Sequence, residues 1–290
     1  MAFTEGVFGT LASSTLAPCT VAITASASAS ESAVPRLSVA ILTKNEAHGI
    51  RECMRSAAFA DEIVVVDSGS TDDTVAIARA GGAQVFSYPD WQGFAVQRNR
   101  LFAHVTGDYV FFLDADELIT PELRTEIQAV VRRGEPGVWR IRWRMVAFGH
   151  ELTYYRAQSA IERLFRRDSL LGYIGVVHEE AVLVDPATPR HTLRAPLLHY
   201  SRATVRASLE KLTQYAMLGA AKRAALDTRG GVWRGLASAT SMFVRLYFVR
   251  LGFLCGGAGF LYCLFVALES FFRYAALHYD RAELSESVGR

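Results

Sequence analysis

Two aspartates stand two positions apart at the end of a strongly apolar run. Residues 110–113 read Val-Phe-Phe-Leu and lead into Asp-Ala-Asp-Glu, which contains Asp114 and Asp116. The run predicts a strand buried on both faces, and extended backbone would point Asp114 and Asp116 the same way. Two such carboxylates suit Mg²⁺ or Mn²⁺, ions that usually also hold substrate phosphates. The alternative for this acidic cluster is the start of a helix, because Pro121 follows it.

Upstream of this run, apolar strand patterns alternate with helical patterns. Such alternation predicts βαβ units and therefore an α/β fold with a mainly parallel sheet flanked by helices. The glycine pair at 81–82 is typical of a helix end. The predicted strands are residues 37–42, 63–66, 84–86 and 110–113, and the helical patterns lie at 50–57, 75–78 and 94–105.

Polar residues follow three of these strands at their C-terminal ends. Right-handed crossovers bring the ends to one edge of the sheet, where open α/β folds bind their ligands. A nucleotide fits there, with Asp67 accepting hydrogen bonds from base or ribose hydroxyls and a metal ion bridging the phosphates. The polar residues are Thr43, Asn45 and Glu46 after the first strand, Asp67 after the second, and Asp114 and Asp116 after the fourth.

Two common phosphate-binding motifs are missing from the sequence. No G-x-G-x-x-G follows the first strand, and the chain has no G-x-x-x-x-G-K-[ST] loop. These absences argue against a dinucleotide-dependent dehydrogenase and against a P-loop NTPase. The metal and Arg98 would neutralise the nucleotide phosphates instead. The net charge of +2 says little about partners, and we expect no nucleic-acid partner.

Four motifs together resemble glycosyltransferase family 2. The resemblance implies the A-type glycosyltransferase (nucleotide-diphospho-sugar transferase) fold. The combination of motifs is far more specific than any one of them, and their order and spacing match over residues 37–131. The motifs are Thr-Lys-Asn-Glu at 43–46, Val-Asp-Ser-Gly-Ser-Thr-Asp at 66–72, Gln-Arg-Asn at 97–99 and Leu-Asp-Ala-Asp-Glu at 113–117.

Three downstream segments are similar to the branch of that family that contains the lipopolysaccharide-core β-1,4-glucosyltransferases. They are residues 163–167, 177–179 and 197–201. This resemblance implies inverting transfer of a hexose, glucose from UDP-glucose being expected, with help from a divalent metal. The acceptor would be a lipopolysaccharide core or a related glycolipid.

The family resemblance also implies a role for each candidate site residue. The nucleotide pocket would be lined by Thr43, Asn45, Glu46 and Asp67, and Arg98 would contact the base or the diphosphate. Asp114 would lie near the ribose and the metal, and Asp116 would be the main metal ligand. His199 is the candidate third ligand, since related A-type enzymes often supply a late histidine.

Inverting transfer needs a base that deprotonates the acceptor hydroxyl. Glu179 is the leading candidate, and His178 beside it would orient the acceptor or assist the metal. Glu162 is the rival base, because this branch often carries an aspartate shortly before the Arg-Leu-Phe segment, where this chain has Glu162.

The chain divides into three predicted regions. Residues 1–35 are rich in alanine, serine and threonine and predict a disordered extension; an assigned start codon that lies too far upstream is an alternative. The features of a cleaved signal peptide are missing there, since no basic n-region is present. Residues 36–201 form the catalytic domain and residues 202–290 a helical, membrane-associating region. The four cysteines lack paired-ligand spacing and indicate reduced thiols in a cytoplasmic setting.

The C-terminal region contains eighteen consecutive uncharged residues at 251–268, which is at the short end of a membrane span. Glycines interrupt the stretch, which favours two helices joined near 256–257. With Arg245, Arg250 and Arg273 around an apolar, aromatic surface, we expect helices that lie in the interface of the inner leaflet. One spanning helix, a helical cap and a dimer interface are the alternatives. The expected location is the cytoplasmic face of a bacterial inner membrane.

Residues 138–144 alternate strictly between apolar residues and arginines, which predicts one strand with Arg140, Arg142 and Arg144 on one face. A solvated basic face and contacts with phosphates of a lipid-linked acceptor are the two interpretations of that face.

Three rival functions stay open at this point. One is a transferase for a polyprenyl-phosphate or capsule precursor, one a nucleotidyltransferase, and one a catalytically inactive binding module tethered to the membrane.

Overall fold

The structure is a computed structural model that describes residues 34–156, 160–175 and 179–286, with only the backbone described for residues 285–286. The predicted disordered extension lies almost entirely outside these residues, and so does His178. The described strands are β1 (Leu37–Thr43), β2 (Glu62–Asp67), β3 (Gln84–Ser87), β4 (Tyr109–Asp114), β5 (Glu117–Ile119), β6 (Val138–Ile141), β7 (Trp143–Ala147), β8 (His150–Glu151), β9 (Ile161–Arg166), β10 (Leu170–Ile174), β11 (Glu180–Leu183), β12 (Arg190–Thr192) and β13 (Leu197–Arg202).

Helices connect the early strands and fill the C-terminal region. They are α1 (Ile50–Ser56), α2 (Thr74–Ala80), α3 (Phe94–His104), α4 (Pro121–Arg133), α5 (Val205–Ala224), α6 (Val232–Val244), α7 (Gly256–Tyr279) and α8 (Arg281–Glu286). Short 3₁₀ turns lie at Arg167–Ser169 and Gly252–Cys255, and a π turn at Arg245–Val249.

The main sheet has the strand order β12-β6-β9-β4-β1-β2-β3. Its β3, β2, β1 and β4 are mutually parallel, whereas β9 runs antiparallel to both β4 and β6. The predicted mainly parallel sheet is therefore confirmed. The parallel register places Thr43 of β1 beside Asp67 of β2 and Leu42 beside Asp114 of β4. The polar residues that follow these strands consequently share one edge.

The apolar runs form strands because both faces of the sheet are covered. Val39 and Ile41 of β1 pack into one core with α1 and α4, while Ala40 and Leu42 pack into a second core with α3. Every residue of β1 is buried. A strand buried on both faces is expected where helices lie on either side of a parallel sheet.

A second, four-stranded sheet has the order β5-β13-β7-β8. Its β13 pairs antiparallel with β5, which places His199 opposite Glu117, and parallel with β7. This sheet therefore brings a residue from the end of the catalytic region to the acidic motif that follows β4.

The single alternating strand predicted for residues 138–144 is wrong. The chain leaves the main sheet after Ile141 and enters the second sheet as β7, with Arg142 between them. The Arg142 carbonyl accepts from Leu197 N at 3.0 Å, so each half is held by a different neighbour. The arginines do not form one shared basic face, because Arg140 pairs with Glu162 and Arg144 lies 3.6 Å from Glu151.

The C-terminal helices pack on one another, with α7 against both α5 and α6. A buried ion pair between Arg202 of β13 and Glu269 of α7 connects this bundle to the second sheet. The chain breaks helical geometry between α6 and α7, where Leu251 adopts a left-handed φ of 63°, and α7 begins at Gly256. The break lies where two joined helices were predicted. The segment Gly252–Tyr279 is long and apolar enough to cross a membrane; an 18-residue window of it has a mean hydropathy of 1.7, and one third of that window is buried inside the protein.

Candidate active site

The loops after β1 and β2 are tied to each other by their own polar side chains. The Asp67 carboxylate accepts from Gly69 N at 3.1 Å and from Ser87 Oγ at 3.0 Å. Asn45 has a positive φ of 54°, and its Oδ1 accepts from Thr71 N at 2.8 Å. These contacts give the predicted nucleotide-binding edge a fixed backbone.

Two hydroxyls at this edge have no hydrogen-bond partner among the described residues. Thr43 Oγ1 is buried and makes no hydrogen bond among the described residues, and the same holds for Ser68 Oγ. Backbone contacts nevertheless fix both residues, because Ser68 N donates to the Thr43 carbonyl at 3.0 Å. Buried hydroxyls without partners are costly unless a ligand satisfies them, which fits the role predicted for Thr43.

Asp114 was predicted to lie near the ribose and the metal, but its partners in the structure are two arginines. Arg98 Nη2 donates to its Oδ1 at 3.1 Å, and Arg163 Nη2 donates to its Oδ2 at 2.6 Å. Burial alone would raise the pKa of Asp114, but the charges of Arg163 and Arg98 outweigh burial and hold the pKa well below its usual value. The carboxylate is therefore ionised and paired with arginines, and its role as a metal ligand stays a prediction.

Glu117 lies between the two sheets and is fully buried. Its Oε1 accepts from Arg163 Nη2 and from Trp143 Nε1, both at 2.6 Å, and its Oε2 accepts from Asp114 N at 2.9 Å. Burial raises the pKa of Glu117 above its ordinary value, while the Arg163 charge opposes that rise. Arg163 thus joins β4, β5 and β9, and it is the cation that pairs with the fully buried Glu117.

Asp116 points to a different environment, because residues 115–116 form a turn and not the predicted extended strand. Its Oδ2 lies 3.3 Å from His199 Nε2 and 4.0 Å from Lys211 Nζ. The Tyr200 amide donates to the Asp116 carbonyl at 2.8 Å and fixes the turn against β13. The two aspartates are therefore separated: Asp114 pairs with arginines, and Asp116 pairs with His199.

The His199 ring is held on its other side by Trp143, with ring centroids 4.9 Å apart. Burial lowers the pKa of His199, but the hydrogen bond and charge of Asp116 outweigh burial and raise the pKa above its ordinary value. His199 Nδ1 is buried without a partner among the described residues.

The Asp116 and His199 side chains fit a divalent cation. A carboxylate oxygen and an imidazole nitrogen converge within 3.3 Å, and both side chains are partly exposed. No group of three or more histidine, cysteine, aspartate or glutamate residues that could hold a metal occurs in the described part of the chain. Asp116 and His199 therefore stay the predicted metal-binding pair, and an ion such as Mg²⁺ would need substrate phosphates as further ligands there.

Comparison with known proteins decides the class of this site. The model of glycosyl transferase family 2 matches residues 38–178, which include Thr43, Asp67, Arg98, Asp114 and Asp116. The chain carries a family 2 glycosyltransferase domain. The predictions of this family, of its A-type fold and of an enzyme that is a glycosyltransferase are confirmed.

Relatives extend the similarity beyond that domain. A glycosyltransferase of Rickettsia bellii is 29% identical over 269 residues, covering 86% of this chain and 88% of the relative. The lipopolysaccharide core biosynthesis glycosyltransferase LpsC of Rhizobium meliloti is 26% identical over 253 residues, covering 85% and 93%. Among solved structures, glucosyl-3-phosphoglycerate synthase of Mycobacterium tuberculosis, in complex with Mn²⁺, UDP and glucosyl-3-phosphoglycerate, is 30% identical with a TM-score of 0.34, over 38% of this chain and 44% of that chain.

The two candidate bases of the glycosyltransferase have different surroundings. Glu179 Oε1 accepts from Arg98 Nε at 3.0 Å, so Arg98 connects Glu179 to Asp114. Glu162 Oε1 accepts instead from Arg140 Nη2 at 3.0 Å and from Arg190 Nε at 3.1 Å. The structure therefore places Glu179, and not Glu162, in contact with the arginine that also pairs with Asp114.

Sequence reasoning did not assign site roles to Arg163, Glu117 and Lys211. Arg163 is only 4% exposed and directly precedes the buried residues Leu164 and Phe165 of β9, and a charge in a buried part of a strand is a signal of a buried ion pair. Lys211 had no comparable signal, because it is one of several basic residues on the pattern of an amphipathic helix.

We predict that Arg163→Met destabilises the protein by about 3–5 kcal/mol, because it leaves two carboxylates without their shared cation. Arg55→Met is the matched control, since Arg55 is 73% exposed beside Glu52 on the surface of α1, and it should change the stability by less than about 0.5 kcal/mol. Urea unfolding followed by circular dichroism measures both values. Equal stability of the two variants would contradict the structural role given to Arg163.

Proposed function

We propose that this glycosyltransferase transfers a hexose, glucose from UDP-glucose, with inversion to a lipopolysaccharide-core or related glycolipid acceptor. The observation that carries the proposal is the convergence of Asp116 and His199 beside the edge formed by Thr43, Asn45 and Asp67. The similarity to LpsC supports the acceptor class.

The donor would lie at the carboxyl edge of the main sheet. Thr43 and Asp67 are adjacent in register there, and the free Thr43 hydroxyl is available for the nucleotide. Asp116 and His199 would hold a divalent metal together with the diphosphate. That metal, Mg²⁺ or Mn²⁺, would offset the charge that develops on the leaving nucleoside diphosphate.

Glu179 would act as the base for the acceptor hydroxyl. The hydroxyl oxygen forms a bond to the anomeric carbon, the bond from that carbon to the diphosphate oxygen breaks, and the hydroxyl proton passes to Glu179. Arg98 orients the Glu179 carboxylate through its 3.0 Å hydrogen bond. Asp114, the last residue of β4, holds the Arg98 guanidinium in place. Asp114 and Arg98 together therefore position Glu179.

The first test is release of nucleoside diphosphate by the full-length protein in detergent. We expect release from one UDP-hexose, dependent on Mg²⁺ or Mn²⁺ and increased by lipopolysaccharide-core acceptor, and its loss in Asp116→Ala. Release of pyrophosphate would identify a nucleotidyltransferase instead. Donor binding without turnover would indicate another acceptor, such as a polyprenyl-phosphate or capsule precursor, and absence of any donor binding would favour an inactive binding module.

Glu179→Gln should lower turnover by about 100-fold or more while donor affinity stays unchanged, because the amide keeps the shape and removes the base. Glu162→Gln is the matched control, and we expect it to keep turnover within about threefold, since Glu162 is engaged by two arginines away from Arg98. Initial rates and donor titrations of both variants separate turnover from binding. The opposite pattern would transfer the role of base to Glu162.

We also propose that the protein binds the cytoplasmic face of the inner membrane through an aromatic cluster at the junction of α6 and α7. The cluster consists of Phe243, Tyr247, Phe248, Phe253 and Phe260, with neighbouring ring centroids 5.1–6.4 Å apart. Phe248 is 55% exposed and Phe253 is 44% exposed. Exposed aromatic groups of this kind prefer the membrane interface.

The charges around α7 favour a helix that lies at the interface over one that spans the membrane. Glu269 is an acidic residue within the apolar helix, and it is paired with Arg202 of β13. A spanning orientation would require that pair to be broken or carried into lipid, which is costly for either charge. Arg245 and Arg250 lie between members of the aromatic cluster along the chain and would meet anionic headgroups.

The double substitution Phe248→Ser with Phe253→Ser should weaken binding to anionic phospholipid vesicles by about tenfold or more, because it removes apolar surface that the membrane buries. Leu171→Ser with Ile174→Ser is the matched control, since these side chains are 64% and 60% exposed on β10. Co-sedimentation with anionic and with zwitterionic vesicles measures the binding. Equal losses in both double variants, or no vesicle binding by the parent protein, would refute this membrane surface.

A further inference from the structure

Helix α5 is fixed in position over the Asp116–His199 pair. It begins directly after β13, the strand that carries His199, and Thr204 caps it by accepting from Ala207 N at 3.1 Å. Arg202 donates to the Ser208 carbonyl at 3.3 Å and pairs with Glu269 of α7. The first turns of α5 are therefore held by the second sheet and by α7 together.

Lys211 extends from this helix to the edge of the site. Its Nζ donates to the Ser201 carbonyl at 3.0 Å and lies 4.0 Å from Asp116 Oδ2. An ammonium group has three donors, so this single hydrogen bond leaves others available. The side chain is 36% exposed, and its flexible four-carbon stem allows the charge to move without a movement of the helix.

The charge of Lys211 acts on two carboxylates from different loops. Burial and the neighbouring Asp116 raise the pKa of Glu46, whereas His48 and Lys211 oppose that rise. Glu46 follows β1 and Asp116 follows β4, so the ammonium group lies near both loops of the predicted diphosphate position. An anionic diphosphate needs cations in order to bind, and Lys211 is a cation near these loops.

A second residue of α5 lies on the same face of the helix as Lys211. Tyr215 is one helical turn after Lys211 and therefore lies on the same side of α5. Burial raises the pKa of the Tyr215 phenol above its usual value, and the charge of Asp116 raises it further. Two side chains of α5 thus experience the field of Asp116.

We propose that Lys211 is a donor-binding residue, which contacts Asp116 in the absence of ligand and binds the diphosphate of the nucleotide sugar when a divalent metal occupies Asp116 and His199. The inference rests on the proposed function and assigns a role to a residue outside the family match at 38–178. The reason is electrostatic: a dication at Asp116 repels the ammonium group, and the diphosphate attracts both cations. The C-terminal helical region would then contribute directly to donor binding.

Lys211→Met should have opposite effects on two ligands. Binding of UDP in the presence of Mn²⁺ should weaken by about tenfold, because a charged hydrogen bond to phosphate is lost. Binding of Mn²⁺ alone should tighten by about threefold, because the repelling charge near Asp116 is gone. Lys211→Arg should keep UDP affinity within about threefold of the parent protein, because the charge is retained.

Isothermal titration calorimetry of the full-length protein with Mn²⁺ and then with UDP measures these affinities. Lys222→Met is the matched control, since it removes an exposed lysine from the last turn of the same helix and should change neither affinity. Thermal melting of each variant shows that it is folded. A purely structural role of Lys211 would shift both affinities in the same direction and would overturn the proposal.

The outcomes separate this inference from the function on which it rests. If the parent protein binds UDP with Mn²⁺ and Lys211→Met binds both ligands equally well, the role of Lys211 is refuted and the proposed function stands. If the parent protein binds none of UDP, GDP and dTDP with either metal, the proposed function and the role of Lys211 fail together.

Discussion

Arg163 donates from a single nitrogen to two carboxylates, and the architecture of the site depends on that contact. Asp114 belongs to the end of the main sheet, and Glu117 to the start of the second sheet. Glu117 and Arg163 are buried and Asp114 is partly buried, so removal of the arginine would leave Glu117 without a cation and Asp114 with Arg98 alone. Trp143 completes the junction by donating to Glu117 from β7. The turn between the two carboxylates, which presents Asp116, is consequently held at both ends.

This junction explains why two aspartates in one short motif have different surroundings. Asp114 is saturated by Arg98 and Arg163, and through Arg98 it also positions Glu179. Asp116 lies on the far side of the turn, where its neighbours are His199 and Lys211. One network of charges thus positions both the candidate base Glu179 and the candidate metal ligand Asp116. A change in the buried charges would therefore alter the positions of both side chains.

The structural features that the sequence predicted correctly are those that depend on residues close together in the chain. The strongly apolar runs of β1, β2 and β4 required a sheet covered on both faces, and their polar ends required a shared edge. The direction of Asp116 was not accessible in this way, because the turn at 115–116 depends on Glu117 reaching Arg163 from a distant strand. The bend at Arg142 has a similar origin, since its backbone pairs with β13, which lies more than fifty residues later. Lys211 lay beyond local reasoning because only the packing of α5 brings it to Asp116.

The most direct test of this account is a crystal structure with Mn²⁺ and UDP, in which anomalous scattering locates the metal. We expect Mn²⁺ bound by Asp116 and His199 together with diphosphate oxygens, while Asp114 keeps its contacts with Arg98 and Arg163. Manganese bound by Asp114 with the arginine contacts broken, or bound away from both Asp116 and His199, would contradict the separation of the two aspartates on which the account rests.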